Sequence, residues 1–239
     1  MRFVLVHGFT QTARSWDEVA GALEDEGEVM RIELPGHGGA RDVRLGFDEA
    51  AAYLGDAGGA GVYVGYSMGG RLCLRLALDR PDLVEALVLV GASPGIADPE
   101  GRADRQRSDA ILAGDLDAGD TGAFLTNWLA QPLFETTKPR PEELAARRTN
   151  SRDGLAYALR RLGTGTQEPL WDRLGELAMP VLLVAGEKDA KFRGISKRMA
   201  EAIGGNARMA VVPGAGHAVL LDRPALLADL VADHAAATR

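Results

Sequence analysis

VYVGYSMGGR, at residues 62–71, is the stretch that decides the fold. It opens with the apolar run Val62–Val64, typical of a short buried strand, and Gly70–Leu78 has the apolar spacing of a helix. Between them lies Gly65–Gly69, a G-x-S-x-G pattern that places a serine on a sharp turn between strand and helix. Bulkier neighbours would collide with the adjoining strand and helix. We therefore interpret Ser67 as a nucleophile and not as part of an ordinary glycine-rich turn.

Strands alternate with helices along most of the chain. Apolar runs predict strands at Phe3–Val6, Glu28–Glu33, Ala86–Val90, Val181–Ala185 and Arg208–Val212. Helical spacing is found near residues 15–26, 47–54, 192–203 and 224–234. This alternation is typical of an α/β fold, in which a mostly parallel sheet carries helices on both faces. Ligands bind such a sheet outside the carboxyl ends of its strands.

The alternation stops after the strand at 86–90. The next stretch is rich in arginine, has helical spacing and contains no convincing strand. We predict that residues 95–170 form a helical lid inserted after that strand. Residues 1–94 and 171–239 would then form the α/β core.

Composition limits the kinds of partner. The 239 residues carry a net charge of −7, which disfavours nucleic acid and anionic membranes as partners. Cys73 is the only cysteine, so no internal disulfide is expected, and its position on the helix after the turn predicts a buried packing thiol. No stretch is long enough to span a bilayer. Since the chain runs from Met1-Arg2 directly into a strand, we expect no signal peptide and a cytoplasmic location.

A serine hydroxyl needs a base before it can act at neutral pH. The chain has four histidines, and one of them, His217, follows the last strand in a glycine-rich loop. Asp189 follows the preceding strand in the same way. The chain order Ser67, Asp189, His217 is the order in which one large class of α/β enzymes supplies a catalytic triad. We predict that Asp189 orients the imidazole and that His217 takes the proton of Ser67.

Two backbone amides complete the predicted site. The segment His7-Gly8-Phe9 follows the first strand, where a loop of this kind supplies one amide to an oxyanion hole. The second amide would come from Met68, directly after the nucleophile. We therefore expect the amides of Phe9 and Met68 to bind the same oxyanion.

The remaining polar residues receive structural interpretations. We interpret His7 and His37 as loop residues, His234 as a solvated residue near the end of the last helix, and Asp222 as a cap preceding that helix. The histidines are scattered and no H-x-x-x-H spacing occurs, so no metal is expected. No phosphate loop or dinucleotide fingerprint follows a strand, so no such cofactor is expected.

With these residues, the chain resembles the α/β-hydrolases over essentially its full length. Within them it resembles the MenH family, the 2-succinyl-6-hydroxy-2,4-cyclohexadiene-1-carboxylate synthases. The resemblance is carried by HGFT at 7–10 with Trp16, GYSMGGR at 65–71, Trp128 with QPLF at 131–134, RRTN at 147–150 and GEKDAKF at 186–192. Met68 stands where the family often has leucine, a change that leaves the backbone amide intact.

The resemblance implies a lyase of menaquinone biosynthesis. Its substrate would be the polycarboxylate 2-succinyl-5-enolpyruvyl-6-hydroxy-3-cyclohexene-1-carboxylate, from which pyruvate is eliminated. Ser67, activated by His217 and Asp189, would be the base, and neither an acyl-enzyme nor a cofactor is required.

A substrate with several carboxylates needs cations, and arginine binds a carboxylate through two parallel hydrogen bonds. The resemblance implies substrate-binding roles for Arg71, Arg105 and Arg148, the alternative for each being a solvated helix surface. Tyr66 and Trp128 are candidates for the pocket wall, with plain packing as the alternative. We expect this small-molecule enzyme to be a monomer or a weak homo-oligomer.

Two other functions remain open from the sequence. The same triad serves carboxylesterases and C–C bond hydrolases, which form an acyl-serine intermediate. A non-catalytic ligand-binding protein could also use this scaffold, although the intact Ser–Asp–His set argues against it.

Overall fold

A six-stranded parallel sheet forms the centre of the molecule. The computed structural model describes residues 1–237 of the chain. Its strands are β1 (Arg2–Val6), β2 (Glu28–Ile32), β3 (Gly61–Tyr66), β4 (Val84–Val90), β5 (Val181–Gly186) and β6 (Ala207–Val212). They lie in the order β2-β1-β3-β4-β5-β6, and every neighbouring pair is parallel. The predicted α/β fold class is confirmed.

Helices cover both faces of this sheet. The α-helices are α1 (Asp17–Leu23), α2 (Phe47–Gly58), α3 (Met68–Asp79), α4 (Pro99–Ala118), α5 (Thr121–Leu129), α6 (Pro141–Arg147), α7 (Arg152–Leu162), α8 (Ala190–Ile203), α9 (Val219–Asp222) and α10 (Pro224–Ala236). Short 3-10 helices lie at Ala13–Trp16, Gly38–Ala40, Pro132–Phe134 and Trp171–Glu176. Helices α1 and α10 pack on one face of the sheet, and α2, α3 and α8 pack on the other.

Side chains of β3 show how the two cores are built. Val62 and Val64 join the core under α1 and α10, whereas Tyr63 joins the core on the opposite face. Successive strand residues point to opposite faces, so a strand covered on both sides needs apolar residues throughout. Every residue of β3 is accordingly buried.

Helices α4 to α7 lie between β4 and β5, where the sequence predicts a helical lid. Asp98, Asp120 and Ser151 precede three of these helices, and each side chain accepts a hydrogen bond from the backbone amide three residues later. No strand interrupts this segment in the described part of the chain. The division into a lid and a core stays a prediction, and residues 238–239 of the predicted core lie outside the described residues.

His234 is buried, so the prediction that it is solvated is wrong. It follows Leu227 and Val231 on the face of α10 that packs against the sheet. Its Nε2 lies 3.3 Å from the Pro180 carbonyl oxygen, and its Nδ1 lies 3.3 Å from Arg208 Nη2. Burial lowers the pKa of this imidazole.

Candidate active site

Ser67 lies on the turn between β3 and α3, at the carboxyl edge of the sheet. Its φ of 50° and ψ of −109° form a backbone conformation that is rare for residues other than glycine. The neighbouring glycines make this turn sterically possible. A Cβ at Gly65 would lie 2.5 Å from the Gly70 Cα, and a Cβ at Gly69 would lie 2.4 Å from the Val6 carbonyl oxygen. The local sequence therefore fits the turn that the nucleophile prediction requires.

The imidazole of His217 lies between Ser67 and Asp189. Its Nε2 is 3.3 Å from Ser67 Oγ, and its Nδ1 is 2.8 Å from Asp189 Oδ2. The other carboxylate oxygen of Asp189 accepts a 3.0 Å hydrogen bond from the Phe192 amide, because Asp189 also caps the N-terminus of α8. The structure thus brings together the three residues that were predicted to form a triad, with the carboxylate held at both oxygens.

Aromatic rings surround the imidazole of His217. The ring centroids of Phe192, Tyr66 and Phe134 lie 4.5, 5.3 and 6.0 Å from its own. His217 and Asp189 are both buried. Because both side chains are buried, the attraction between the carboxylate and a protonated imidazole is stronger than it would be in solution.

Two unpaired backbone amides lie in the same region. The amides of Phe9 and Met68 have no acceptor within the part of the chain that the structure describes. Met68 begins α3, so no carbonyl of that helix can reach its amide. Gln11 holds the loop before Phe9, since its side-chain oxygen accepts a 3.0 Å hydrogen bond from the Gly8 amide. Both amides are available to an oxyanion beside Ser67, and their catalytic role stays a prediction.

A pocket that is open at its mouth lies over Ser67 and His217. Its walls are mostly aromatic and aliphatic, and three of its lining side chains are cations. The cations are Arg71, Arg105 and Lys191, and none of the described residues that line the pocket is acidic. An apolar cavity with cations and no carboxylate suits an anionic organic ligand.

A model of the alpha/beta hydrolase family matches residues 3–230. The chain belongs to the alpha/beta hydrolase family. The matched range contains Ser67, Asp189 and His217, the three residues of the predicted triad.

Comparison with named relatives and solved structures shows which α/β-hydrolases this chain is similar to. A protein of Escherichia coli O1:K1, named 2-succinyl-6-hydroxy-2,4-cyclohexadiene-1-carboxylate synthase, is 32% identical and the match covers 93% of this chain and 88% of the relative. The solved structure of MenH from S. aureus is 30% identical, with a TM-score of 0.92 over 100% of this chain and 94% of that one. A thermophilic esterase from Thermogutta terrifontis, 22% identical over 100% of this chain and 90% of its own, shares the fold at a TM-score of 0.82. The predicted resemblance to MenH proteins is confirmed.

Arg71 is the most buried of the cations that line the pocket of this α/β-hydrolase. It lies one helical turn after Ser67 and is 6% exposed. Its guanidinium donates to Gln167 Oε1 at 2.9 Å and to the Leu162 carbonyl oxygen at 2.7 Å, both neutral acceptors. Burial, helped by the charge of Arg105, lowers its pKa to about 9, which leaves it charged at neutral pH. A buried cation with neutral partners favours the binding of an anion.

The other two predicted arginines differ in position. Arg105 lines the pocket, and its Nε donates to Asp109 at 2.8 Å. Arg148 is exposed at the end of α6 and does not line the pocket, so its predicted place at the substrate is corrected. Neighbouring helical residues point about 100° apart, and the turn of α6 buries Arg147 instead.

Tyr66 and Trp128 both line the pocket, in the positions predicted for wall residues. The centroid of the Trp128 ring lies 5.0 Å from that of Phe9, and its Nε1 is buried without a hydrogen-bond partner among the described residues. Sequence reasoning missed Lys191, which also lines the pocket. The sequence could have indicated Lys191, because it is a cation two residues after Asp189, on the first turn of α8.

Asp222 does not cap the last helix, contrary to the prediction. α10 begins at Pro224 without a side-chain cap. Asp222 Oδ2 instead accepts a 2.7 Å hydrogen bond from the Gly216 amide and a 3.2 Å hydrogen bond from the Thr136 hydroxyl. Asp222 therefore fixes the loop that carries His217 and joins it to the segment after α5.

His7 and His37 are buried loop residues. His7 Nε2 accepts a 3.1 Å hydrogen bond from the Leu34 amide, and His37 Nε2 accepts a 3.3 Å hydrogen bond from the Thr10 amide. Burial, with the neighbouring charge of Arg147, lowers the pKa of His37 to about 3. His37 is therefore neutral in the folded protein and able to accept.

Acidification should destabilise the fold through His37. The unfolded imidazole binds a proton near its ordinary pKa of about 6.5, whereas the folded imidazole does so only near pH 3. The contribution of His37 to the free energy of unfolding is therefore complete above pH 6.5. It is lost as the pH falls toward 3, and the loss at pH 5 is about 2 kcal/mol. Urea unfolding at pH 7 and pH 5 measures the loss. In folded His37→Gln the loss should be smaller by about this amount, and an unchanged loss would contradict the assignment.

Within residues 1–237, no three His, Cys, Asp or Glu side chains are grouped so that they could hold a metal ion. None of the helices in that range combines the length and apolarity needed to cross a membrane. Cys73 is buried, as predicted, and burial raises the pKa of its thiol.

Proposed function

We propose that this chain is a 2-succinyl-6-hydroxy-2,4-cyclohexadiene-1-carboxylate synthase, a carbon–oxygen lyase of menaquinone biosynthesis. The observation that carries the proposal is Arg71, a buried cation whose hydrogen-bond acceptors in the described chain are neutral, in the pocket that also contains Ser67 and His217. A simple uncharged ester or hydrocarbon substrate would not compensate the cost of burying this charge. A substrate with three carboxylates, such as 2-succinyl-5-enolpyruvyl-6-hydroxy-3-cyclohexene-1-carboxylate, does.

The elimination begins with removal of the ring proton at C2. This proton is acidic because C2 lies next to the ketone of the succinyl group. Ser67 Oγ takes it as the serine proton passes to His217 Nε2, and the electron pair of the C–H bond moves onto the ketone oxygen. Asp189 stabilises the imidazolium that forms. No bond forms between Ser67 and carbon, so the step needs no acyl-enzyme.

The resulting enolate then expels the enolpyruvyl group. Its electrons form the C2=C3 double bond, the C3=C4 pair moves to C4=C5, and the C5–O bond breaks. The departing enolpyruvate takes up the proton held by the Ser67–His217 pair and becomes pyruvate. The ring is left as the 2,4-diene, and the triad returns to its initial state. The amides of Phe9 and Met68 would stabilise the enolate oxygen while it carries the charge.

Cations would hold the three substrate carboxylates. We assign Arg71 to the deepest of them, because it is the most buried of the three cations lining the pocket. Arg105 and Lys191 would bind the others, while Tyr66 and Trp128 would pack against the ring. Helices α4 to α7 would act as the lid that excludes water during the elimination.

Other properties of the proposed enzyme follow from its chemistry and composition. Proton transfer and elimination at these residues require no cofactor. The net charge of −7 favours neither nucleic acid nor anionic membranes as partners. We retain a cytoplasmic location and a monomeric or weakly homo-oligomeric state as expectations from the sequence.

Pyruvate release tests the function directly. Purified protein should release one equivalent of pyruvate from each equivalent of the enolpyruvyl substrate. The pyruvate is measured through NADH oxidation by lactate dehydrogenase. Nitrophenyl acetate serves as the comparison, because a carboxylesterase with an acyl-serine would release nitrophenol in an initial burst. Rapid pyruvate release with slow ester turnover is the expected result. A nitrophenol burst without pyruvate release, from folded protein, would replace the lyase with the esterase.

A further inference from the structure

Thr10 is held in an unusual conformation directly after the proposed oxyanion residue Phe9. Its φ is 66°, and Thr10 and Ser67 are the two residues other than glycine with positive φ among residues 1–237. A β-branched side chain in this region is strained, and such strain persists only where the surroundings enforce it. Thr10 is completely buried, so neighbouring protein groups must supply that enforcement.

Three residues bind the three polar groups of Thr10. The Thr10 amide donates to His37 Nε2 at 3.3 Å, and the Thr10 carbonyl accepts a 2.7 Å hydrogen bond from Asn150 Nδ2. The Thr10 hydroxyl accepts a hydrogen bond from Arg147 Nη1. Of these partners, Asn150 and Arg147 come from the segment between β4 and β5, about 140 residues away in the chain.

Asn150 and Arg147 are themselves fixed. Asn150 Oδ1 accepts a 2.8 Å hydrogen bond from the Gly38 amide, so one side chain joins the loop after β2 to the loop after β1. Arg147 Nε donates to Glu143 Oε1 at 2.6 Å, and this carboxylate oxygen also accepts a 3.2 Å hydrogen bond from the Ser15 hydroxyl. All of these side chains are buried, which leaves them little freedom to move independently.

We propose that Asn150, assisted by Arg147, is a positioning residue that aims the Phe9 amide at the reacting oxygen. Without the bond from Asn150, Thr10 can relax from positive φ, and the backbone before it shifts with this rotation, including Phe9 and the Gly8–Phe9 peptide that carries the Phe9 amide. The oxyanion amide then loses its alignment, while the pocket cations that hold the substrate stay in place. The lid segment thereby contributes to the geometry of catalysis as well as covering the site. The inference rests on the proposed oxyanion role of Phe9.

Asn150→Ala should therefore lower kcat and leave KM nearly unchanged. Removing an oxyanion donor costs about 10²–10³-fold in rate, so misalignment should cost about 10- to 100-fold in kcat, with KM within about threefold. The matched control is Asn206→Ala, which removes a 2.9 Å side-chain bond to the Leu177 carbonyl far from the triad. Because Asn206 is exposed and Asn150 is buried, the control should lower the melting temperature by less, and it should leave kcat unchanged.

Variants of Thr10 test the contact between its hydroxyl and Arg147. Thr10→Ser keeps the hydroxyl that accepts from Arg147, and should retain most of kcat. Thr10→Val keeps the shape of the side chain and loses the acceptor, and should lower kcat. Equal kcat in these two variants would show that the Arg147 contact is structural only.

A fluorophosphonate probe separates this inference from the proposed substrate. The probe phosphonylates an activated serine while its phosphoryl oxygen binds the oxyanion amides, so the labelling rate of Ser67 reports their alignment. Labelling of folded Asn150→Ala should be at least about tenfold slower than wild type. Equal labelling rates would overturn the inference. Absence of pyruvate release together with slowed labelling would overturn the synthase proposal and leave the positioning role standing.

Discussion

Ser67→Ala lowers the rate of pyruvate release by about 10⁴-fold or more, the magnitude typical of losing a triad nucleophile. The variant keeps His217 and Asp189 in place but removes the oxygen that takes the ring proton. His217 Nε2 is 3.3 Å from that oxygen, and the imidazole is enclosed by aromatic rings that prevent it from moving forward to replace it. Coupled detection of pyruvate at saturating substrate measures the loss.

Ser93→Ala is the matched control for this prediction. Ser93 lines the same pocket, and its Oγ accepts a 3.4 Å hydrogen bond from the Gly95 amide. Among the described residues, Ser93 Oγ makes no hydrogen bond to Ser67, Asp189 or His217. Its alanine variant should keep activity within a few-fold of wild type. If Ser67→Ala retained a tenth or more of the activity, His217 would be acting on the substrate directly. If the wild type showed no turnover of any substrate, the ligand-binding alternative would gain support.

Residues that follow strands were predictable from the sequence. The carboxyl ends of parallel strands meet at one edge of the sheet, so a serine, an aspartate and a histidine after three strands had to lie near one another. Ser67, Asp189 and His217 do so. The local pattern carried this information, because strand ends and glycine turns are set by residues adjacent in the chain.

Residues on helix ends and long loops were less predictable. Arg147 and Arg148 are adjacent in the sequence, and only tertiary packing decided that Arg147 is buried while Arg148 is exposed. Asp222 resembles a helix cap in the sequence and instead binds Gly216 across the loop. The contact between Asn150 and Thr10 spans 140 residues, and no local pattern encodes it.

Arg71→Ala should raise KM by about 30- to 5,000-fold and leave kcat less affected. Truncating one partner of a buried, hydrogen-bonded charge pair costs about 2–5 kcal/mol, and here the lost partner is the substrate carboxylate. The ground state and the transition state both carry this carboxylate, so the loss appears mainly in KM. Arg71→Lys keeps the charge but loses the planar fork that also donates to Gln167 and Leu162, and should give an intermediate KM.

Arg75→Ala distinguishes a carboxylate-binding role of Arg71 from a general effect of positive charge on α3. Arg75 lies one turn further along the same helix and pairs with Asp48 and Asp79. Its removal deletes the same charge outside the pocket, so KM should stay within about twofold, since screened surface pairs contribute little. A similar rise in KM for both variants would indicate electrostatic steering by the helix as a whole. An unchanged KM in folded Arg71→Ala would remove the observation on which the synthase proposal depends, because the buried cation would then serve packing alone.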